Sequence, residues 1–557
     1  MLSLPDSLLS FLDAALRREW LVTNGIGGYA SGTVSGATTR RYHGLLVAAL
    51  APPVRRTVLV AKVDETIDLR DGRGRLVELG TNEYADGTID PEGYRSLAGF
   101  RLDGSIPVWT FAVSGAVLEK AVWMPRGRNT ACVRYRLLPG GPALRMAIRP
   151  YLTERDHHAH THGDPGWRFD VAPIPGGIRV TPWPGAVPYT LTVDRGRFAD
   201  SPAWYWRVLH RVERDRGLDA IEDLYVPGVF EASLEPGEDL TLRVSAEPDA
   251  SAAGTTYEDE RRRQQALIDR AGALPRDPTT LPGPGGLRDA LVLAADAFLV
   301  QGAGRRSVIA GYHWFGDWGR DAMISLPGLT LATGRLDDAR EILRSFADVV
   351  SEGMLPNRFP DDGAPPEYTS ADSALWYAHA LDRYLARVWD RELLEQVYPA
   401  IREIAERYRS GTRHGIRVDP ADGLLTAGEP GLALTWMDAR VNGRAITPRM
   451  GKAVDLNALW HELLCVAARW SEMLGRDGTA YASGAAAVRR AFSGAFFYDA
   501  GGYLYDVIAP DGTPDRSLRP NQLLALSLPH ALVDGPAARA VLGAVGAKLL
   551  TPFGLRS

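Results

Sequence analysis

The chain has 557 residues, 45% hydrophobic and 24% charged, which is too long for one core and typical of a soluble protein of two or more domains. A formal net charge of −5 with no long basic run argues against nucleic acid or an anionic membrane as the main partner. Cys132 and Cys465 are the only cysteines; lying far apart, they disfavour a disulfide framework or a thiolate metal site.

The first residues, MLSLPDSLLSFLDAALRREW, carry Asp6 and Asp13 and lack both a basic leader and a clean apolar run. They read as a short amphipathic helix rather than a signal peptide. No uncharged run approaches the ~20 residues needed to span a bilayer, so a cytoplasmic location is expected.

Up to residue 250 the pattern is that of strands. VRRTVLVAKVDETIDL (54–69), VWTFAVSGAVLEKAVWM (108–124), NTACVRYRLL (129–138) and LTLRVSAEP (240–248) alternate apolar with polar, separated by turn signals such as Asp71-Gly72 and Pro139-Gly140-Gly141. Short strands without helical partners predict an antiparallel β-sandwich over 1–250. GIGGYASG (25–32) has no Gly-Lys-Ser/Thr ending and precedes the strand-like RRYHGLLVA, so it does not read as a phosphate loop. With Arg40, Arg41, Tyr42 and His43 it is expected to shape a sandwich edge packed against the second domain. His157, His158, His160 and His162, in HHAHTH, read as a solvated loop rather than a metal site, since no carboxylate-rich motif accompanies them.

Residues 251–284 predict a charged helix and a Pro/Gly-rich break ending in TTLPGPGG. From 285 to 557 apolar residues recur at three- and four-residue steps, as in LRDALVLAADAFLV, LDDAREILRSFADVV, SADSALWYAHALDRYLARV and DLNALWHELLCVAARWSEML. Nine or ten helices follow from this pattern. Asp337, and Ser370 two residues ahead of Asp372, mark helix starts. The long loops 354–369 and 411–454 hold most of the Trp, Asp, Glu and Arg of this half, which is where a helical scaffold carries chemistry. The segment His313–Arg335, HWFGDWGRDAMISLPGLTLATGR, sets Trp314, Phe315 and Trp318 beside Asp317, Arg320 and Asp321. Aromatics so interleaved with charges mark either a wet pocket with aromatic walls or a structural ion pair.

Four segments carry a family resemblance: residues 24–50, 313–329, GEPGLALTWMDAR (428–440) and TPRMGKAVDLNALW (447–460). In order and over nearly the whole chain, they resemble glycogen debranching enzymes of the amylo-α-1,6-glucosidase type. The resemblance implies an N-terminal β-sandwich followed by an (α/α)6 barrel, and hydrolysis of the α-1,6-linked glucose at branches of glycogen or a branched α-glucan oligosaccharide. It implies an inverting reaction that needs no metal or cofactor. Because the helix count falls short of six hairpins, the barrel is expected to be incomplete. Its last helices and the catalytic base are expected beyond Ser557, and the chain alone is expected to have little activity. A glucoamylase-like α-glucosidase, a glycoside phosphorylase and a non-catalytic glycan-binding protein are the competing readings.

Glycoside hydrolysis needs a proton donor whose carboxyl keeps its proton near neutral pH, which an apolar shoulder favours. In LTWMDAR, Asp438 follows Trp436 and Met437; the resemblance makes it the general acid, against a helix cap or a pair with Arg440. Trp318-Gly319-Arg320-Asp321 is similar to the glucose-holding segment of helical-barrel glucoamylases. Carboxylate and guanidinium would bind hydroxyls while Trp314 or Trp318 stacks on the ring; an Arg–Asp pair at a helix start, or a catalytic Asp321, are the alternatives. Asp372 with Trp376 one turn on, and Glu429, Lys452 and Asp455, complete the sugar-binding set, each also readable as a cap or a structural ion pair.

Overall fold

A computed structural model describes residues 2–69, 76–248, 256–274, 286–302, 304–360 and 364–557. The Asp71-Gly72 turn and the TTLPGPGG break, apart from its last glycine, lie outside the described residues. Contacts divide the chain into two compact units, one running to Gly316 and the other from Asp317 to Ser557 apart from residues 361–363.

The first unit opens with two short helices, Asp6–Leu9 and Leu12–Leu16, and is built on two antiparallel sheets of nine and eight strands. The long strands Val54–Leu69, Leu144–Asp156 and Ile221–Leu234 pair side by side in the eight-stranded sheet. Ala116–Trp123, Thr130–Leu137 and Asp239–Ser245 do so in the nine-stranded one. One buried cluster takes Leu46, Leu59 and Leu152 from one sheet and Leu118, Val133 and Leu242 from the other. The expected sandwich is therefore present. Its core is not purely apolar. Lys62, Asp64 and Glu65, polar residues of Val54–Leu69, are buried because they are satisfied by one another or by their neighbours. Lys62 Nζ reaches Asp64 at 2.8 Å, Thr81 O at 2.7 Å and Asn82 Oδ1 at 2.8 Å, while Glu65 accepts from Tyr135 and Lys120. The glycine loop turns at Gly27, where φ is +94° and an added Cβ would lie 2.2 Å from the Pro53 carbonyl oxygen, a position that glycine alone fits.

The histidine run corrects the expectation of a solvated loop. His157 is buried against Tyr42 and His158, and the His160 ring meets His210, with Nε2 and Nδ1 3.0 Å apart. Only His158 and His162 are exposed.

Helices α1 (Tyr257–Gly272) and α2 (Leu287–Phe298) both belong to the first unit, whereas the sequence pattern placed α2 in the second domain. The reason is charge pairing. Arg263 of α1 holds Glu260 and Asp296 at 2.8 Å, and Arg126 from the sandwich also reaches Asp296, at 3.2 Å, and Leu299 O, at 2.8 Å.

The second unit is helical: α3 (Gly319–Leu326), α4 (Leu336–Ala347), α5 (Ser373–Arg387), α6 (Arg391–Ser410), α7 (Val454–Met473), α8 (Thr479–Phe496), α9 (Leu524–Ser527) and α10 (Gly535–Lys548). Alternate helices are neighbours: α3 packs on α5, α5 on α7 and α7 on α9, while α4 packs on α6. Consecutive hairpins thus set one row of helices behind another, the layering of an α/α toroid. Helix α7 is buried nearly all round, as an inner helix must be. No helix among the described residues is long and apolar enough to cross a membrane.

Candidate active site

Arg320 sits in the first turn of α3, where Gly319 makes the approach possible. The Gly319 amide donates to Asn357 O at 3.0 Å, and a Cβ there would lie 2.0 Å from the Pro356 carbonyl oxygen. From this turn the buried guanidinium gathers three groups. Nε donates to Asp372 Oδ1 at 2.7 Å, Nη1 to Asp438 Oδ2 at 2.9 Å and Nη2 to Ser370 Oγ at 3.1 Å. A planar fork is the side chain suited to three such acceptors at once.

The partners are themselves fixed. Ser370 Oγ donates to Asp372 Oδ1 and accepts the Ser373 amide, the first of α5, at 3.1 Å; Asp372, at the N-cap position, makes no cap bond with its side chain, which is left for Arg320. The Ala371 amide donates to Leu434 O at 2.8 Å, tying the loop that bears Asp438 to the start of α5. Asp372 and Ser370 are buried, while the Asp438 side chain is 39% exposed. The cluster therefore presents one open carboxylate backed by a buried cation. Asp438 does not pair with Arg440, whose Nη1 donates to Gly443 O.

Asp321, the next residue, is exposed to solvent. Its partial desolvation pushes the carboxyl above the ordinary aspartate range; the Arg320 guanidinium pulls it down, and the charges of Asp438 and Asp372 push it further up. Trp318 is half-buried beside it, its short strand paired with Arg358–Phe359 and the Arg358 guanidinium 5.9 Å from its ring.

The other predicted residues divide. Trp436 is 42% exposed and its indole Nε1 donates to Asn521 Oδ1 at 2.9 Å. Trp376, one turn into α5, is half-buried with its ring edge-on to His379 at 5.6 Å. Glu429 is exposed and meets His414 Nδ1 at 3.3 Å. Lys452 is committed to Asp419 and Asp422, at 2.7 and 2.6 Å. Asp455 is buried and forked onto Arg449, at 2.8 and 3.0 Å. Trp314 belongs to the first unit, its ring 5.8 Å from that of Tyr42 and flanked by Arg40 and Arg216.

Two family comparisons bear on this cluster. Residues 18–241 match the family described as glycogen debranching enzyme N terminal, and residues 293–557 the family described as amylo-alpha-1,6-glucosidase. The chain belongs to the glycogen debranching enzyme family. A glycogen debranching enzyme of Saccharomyces cerevisiae is 30% identical over 196 residues, a match covering 26% of this chain and only 13% of the yeast protein. The solved structure of a bacterial glucoamylase complexed with acarbose aligns over 97% of this chain and 78% of its own, with a TM-score of 0.55 and 13% identity. That likeness bears on the fold alone.

In this debranching-family chain the Arg449 network was the part missed by sequence reasoning. Arg449 forks onto Asp455 and also donates to Asp506 at 2.9 Å; Arg519 Nε lies 3.1 Å from Asp506 Oδ2, and Asn521 Nδ2 donates to Asp506 Oδ1 at 2.8 Å. Arg449 lies inside the motif 447–460 and so carried a signal. Asn521, in RPNQ, carried none.

Proposed function

We propose that this protein is an exo-acting glycoside hydrolase that releases the α-1,6-linked glucose at branch points of glycogen or limit dextrin, with inversion. The supporting observation is the convergence of Asp372, Asp438 and Ser370 on Arg320 from three separate segments. In this reading Asp438 is the general acid. Arg320 orients it through Oδ2, which leaves Oδ1 for the glycosidic oxygen, and departure of the glucan as an alcohol takes the Asp438 proton. Trp318, Asp321 and Arg320 hold the terminal glucose, ring face on the indole and hydroxyls on the charged groups. Trp436 and Trp376 supply further aromatic surface. Inversion requires a water on the opposite face of the sugar, activated by a group ~6.5–9.5 Å from the acid.

Limit dextrin and maltose, each with and without phosphate, discriminate among the reactions on such a scaffold. The expected product from limit dextrin is free glucose, independent of phosphate and first seen by NMR as the β-anomer. Glucose 1-phosphate would identify a phosphorylase, preference for maltose a glucoamylase, and the α-anomer a retaining enzyme. A second assignment has a specific observation behind it: Asp321, with its raised proton affinity, is the acid and Asp438 binds sugar. The pH and leaving-group tests below separate the two.

A further inference from the structure

The Trp436–Met437–Asp438 loop has no regular secondary structure, yet its aromatic ring is held by a bond from a distant segment. Asn521 is buried in the 3₁₀ turn Pro520–Leu523, which precedes α9. The turn is pinned by its neighbour: Gln522 Oε1 accepts the Leu504 amide at 3.0 Å and its Nε2 donates to Arg519 O at 2.8 Å. The Asn521 amide then has one permissible orientation. An indole N–H can only donate, so Trp436 must meet Oδ1, at 2.9 Å. This turns Nδ2 towards Asp506 Oδ1, at 2.8 Å, and the Met437 sulfur, at 3.5 Å. Asp506 is anchored by two Arg449 nitrogens at 2.9 Å, and Arg449 forks onto Asp455 in the first turn of α7. A chain of hydrogen bonds, charge-assisted as far as the Asn521 amide, thus runs from an inner helix to the half-exposed Trp436 ring, two residues before Asp438.

From this geometry we infer that Asn521 is a positioning residue: it fixes the Trp436 ring as a rigid stacking surface for the sugar next to the bond cleaved at Asp438. The inference rests on the hydrolase reading above. The amide offers an acceptor to the indole and a donor to the buried carboxylate at one point. Asn521→Leu keeps the volume and removes both bonds, freeing the ring. Asn521→Asp keeps the acceptor but sets a second carboxyl against Asp506.

The test is a double-mutant cycle of Asn521→Leu with Trp436→Phe, which lacks the indole N–H. The Trp436 N–H resonance is identified among the 14 tryptophans as the one lost in Trp436→Phe. In Asn521→Leu it should shift and exchange faster with water, and KM for limit dextrin should rise about tenfold with a smaller change in kcat. The double variant should bind no worse than the worse single variant. Unchanged N–H exchange, an unchanged KM accompanied by a lower melting temperature, or independent multiplication of the two effects would each overturn the inference. A wild-type chain that ignores α-glucans altogether refutes the hydrolase reading instead, and the N–H signal then decides by itself whether Asn521 holds the ring.

Discussion

Arg320 and Asp438 lie 118 positions apart in the chain and are joined by a hydrogen bond of 2.9 Å, from Nη1 to Oδ2. The same guanidinium is buried against Asp372, so Asp438 is held by a cation that cannot move independently of α5. An isolated surface pair would be worth little. Here the buried half of the arrangement supplies the rigidity and the exposed carboxylate is left for chemistry.

Arg320→Ala should therefore damage fold and function together. It leaves Asp372 as a buried carboxylate without its cation, a loss of about 3–5 kcal/mol for such a pair, read by urea unfolding. Arg320→Lys, a single ammonium in place of a three-acceptor fork, should restore part of the stability and little of the affinity for oligosaccharide. Full recovery of affinity in the lysine variant would contradict the fork geometry.

Asp321 provides a pH test. Its carboxyl is pushed above the ordinary aspartate range, so the protonated form persists to a higher pH than for a free aspartate. If the carboxylate accepts glucose hydroxyls, affinity measured by calorimetry should rise with pH across that titration, and Asp321→Asn should flatten the rise. If Asp321 is the acid instead, turnover should fall across the same interval.

The buried histidines of the first unit predict early acid instability. Burial lowers His157 to about 2 and His313 to about 3, and it lowers His43, His160 and His210 as well. The unfolded chain takes up these protons near pH 6.5 and the folded one does not. Stability is thus complete above 6.5 and is lost as pH falls from there towards the folded values, at up to about 1.4 kcal/mol per pH unit for each fully buried ring. Unfolding free energy should fall between pH 6.5 and 5, before ordinary carboxylates titrate. His157→Gln should reduce that slope by about one proton's worth. A flat profile over this interval would show that the rings are not desolvated.

Much of the fold was legible locally. Period-two segments such as 54–69 and 108–124 are strands, and the helical steps after residue 285 are helices, because burial of one face imposes those periods. Which unit a helix packs on was not legible: α2 has an ordinary amphipathic pattern, and it is Asp296 pairing with Arg126 and Arg263 that keeps it with the sandwich. The burial of Lys62 and Glu65 was not legible either, because the partners that satisfy them, Asn82, Lys120 and Tyr135, come from other strands. At the site, the interleaved Trp318-Gly319-Arg320-Asp321 stood out through its residue types. Asn521 did not, since its meaning depends on Trp436, 85 residues earlier.

The most direct measurement concerns Asp438 and the leaving group. Asp438→Asn keeps the shape and an acceptor for Arg320 but has no proton to give. Turnover of limit dextrin should fall ~10²–10⁴-fold while oligosaccharide affinity is retained. α-Glucosyl fluoride, whose leaving group needs no proton donor, should be turned over by this variant at a rate close to wild type. Equal losses on both substrates, or undiminished hydrolysis of limit dextrin, would contradict the assignment of Asp438 as the general acid.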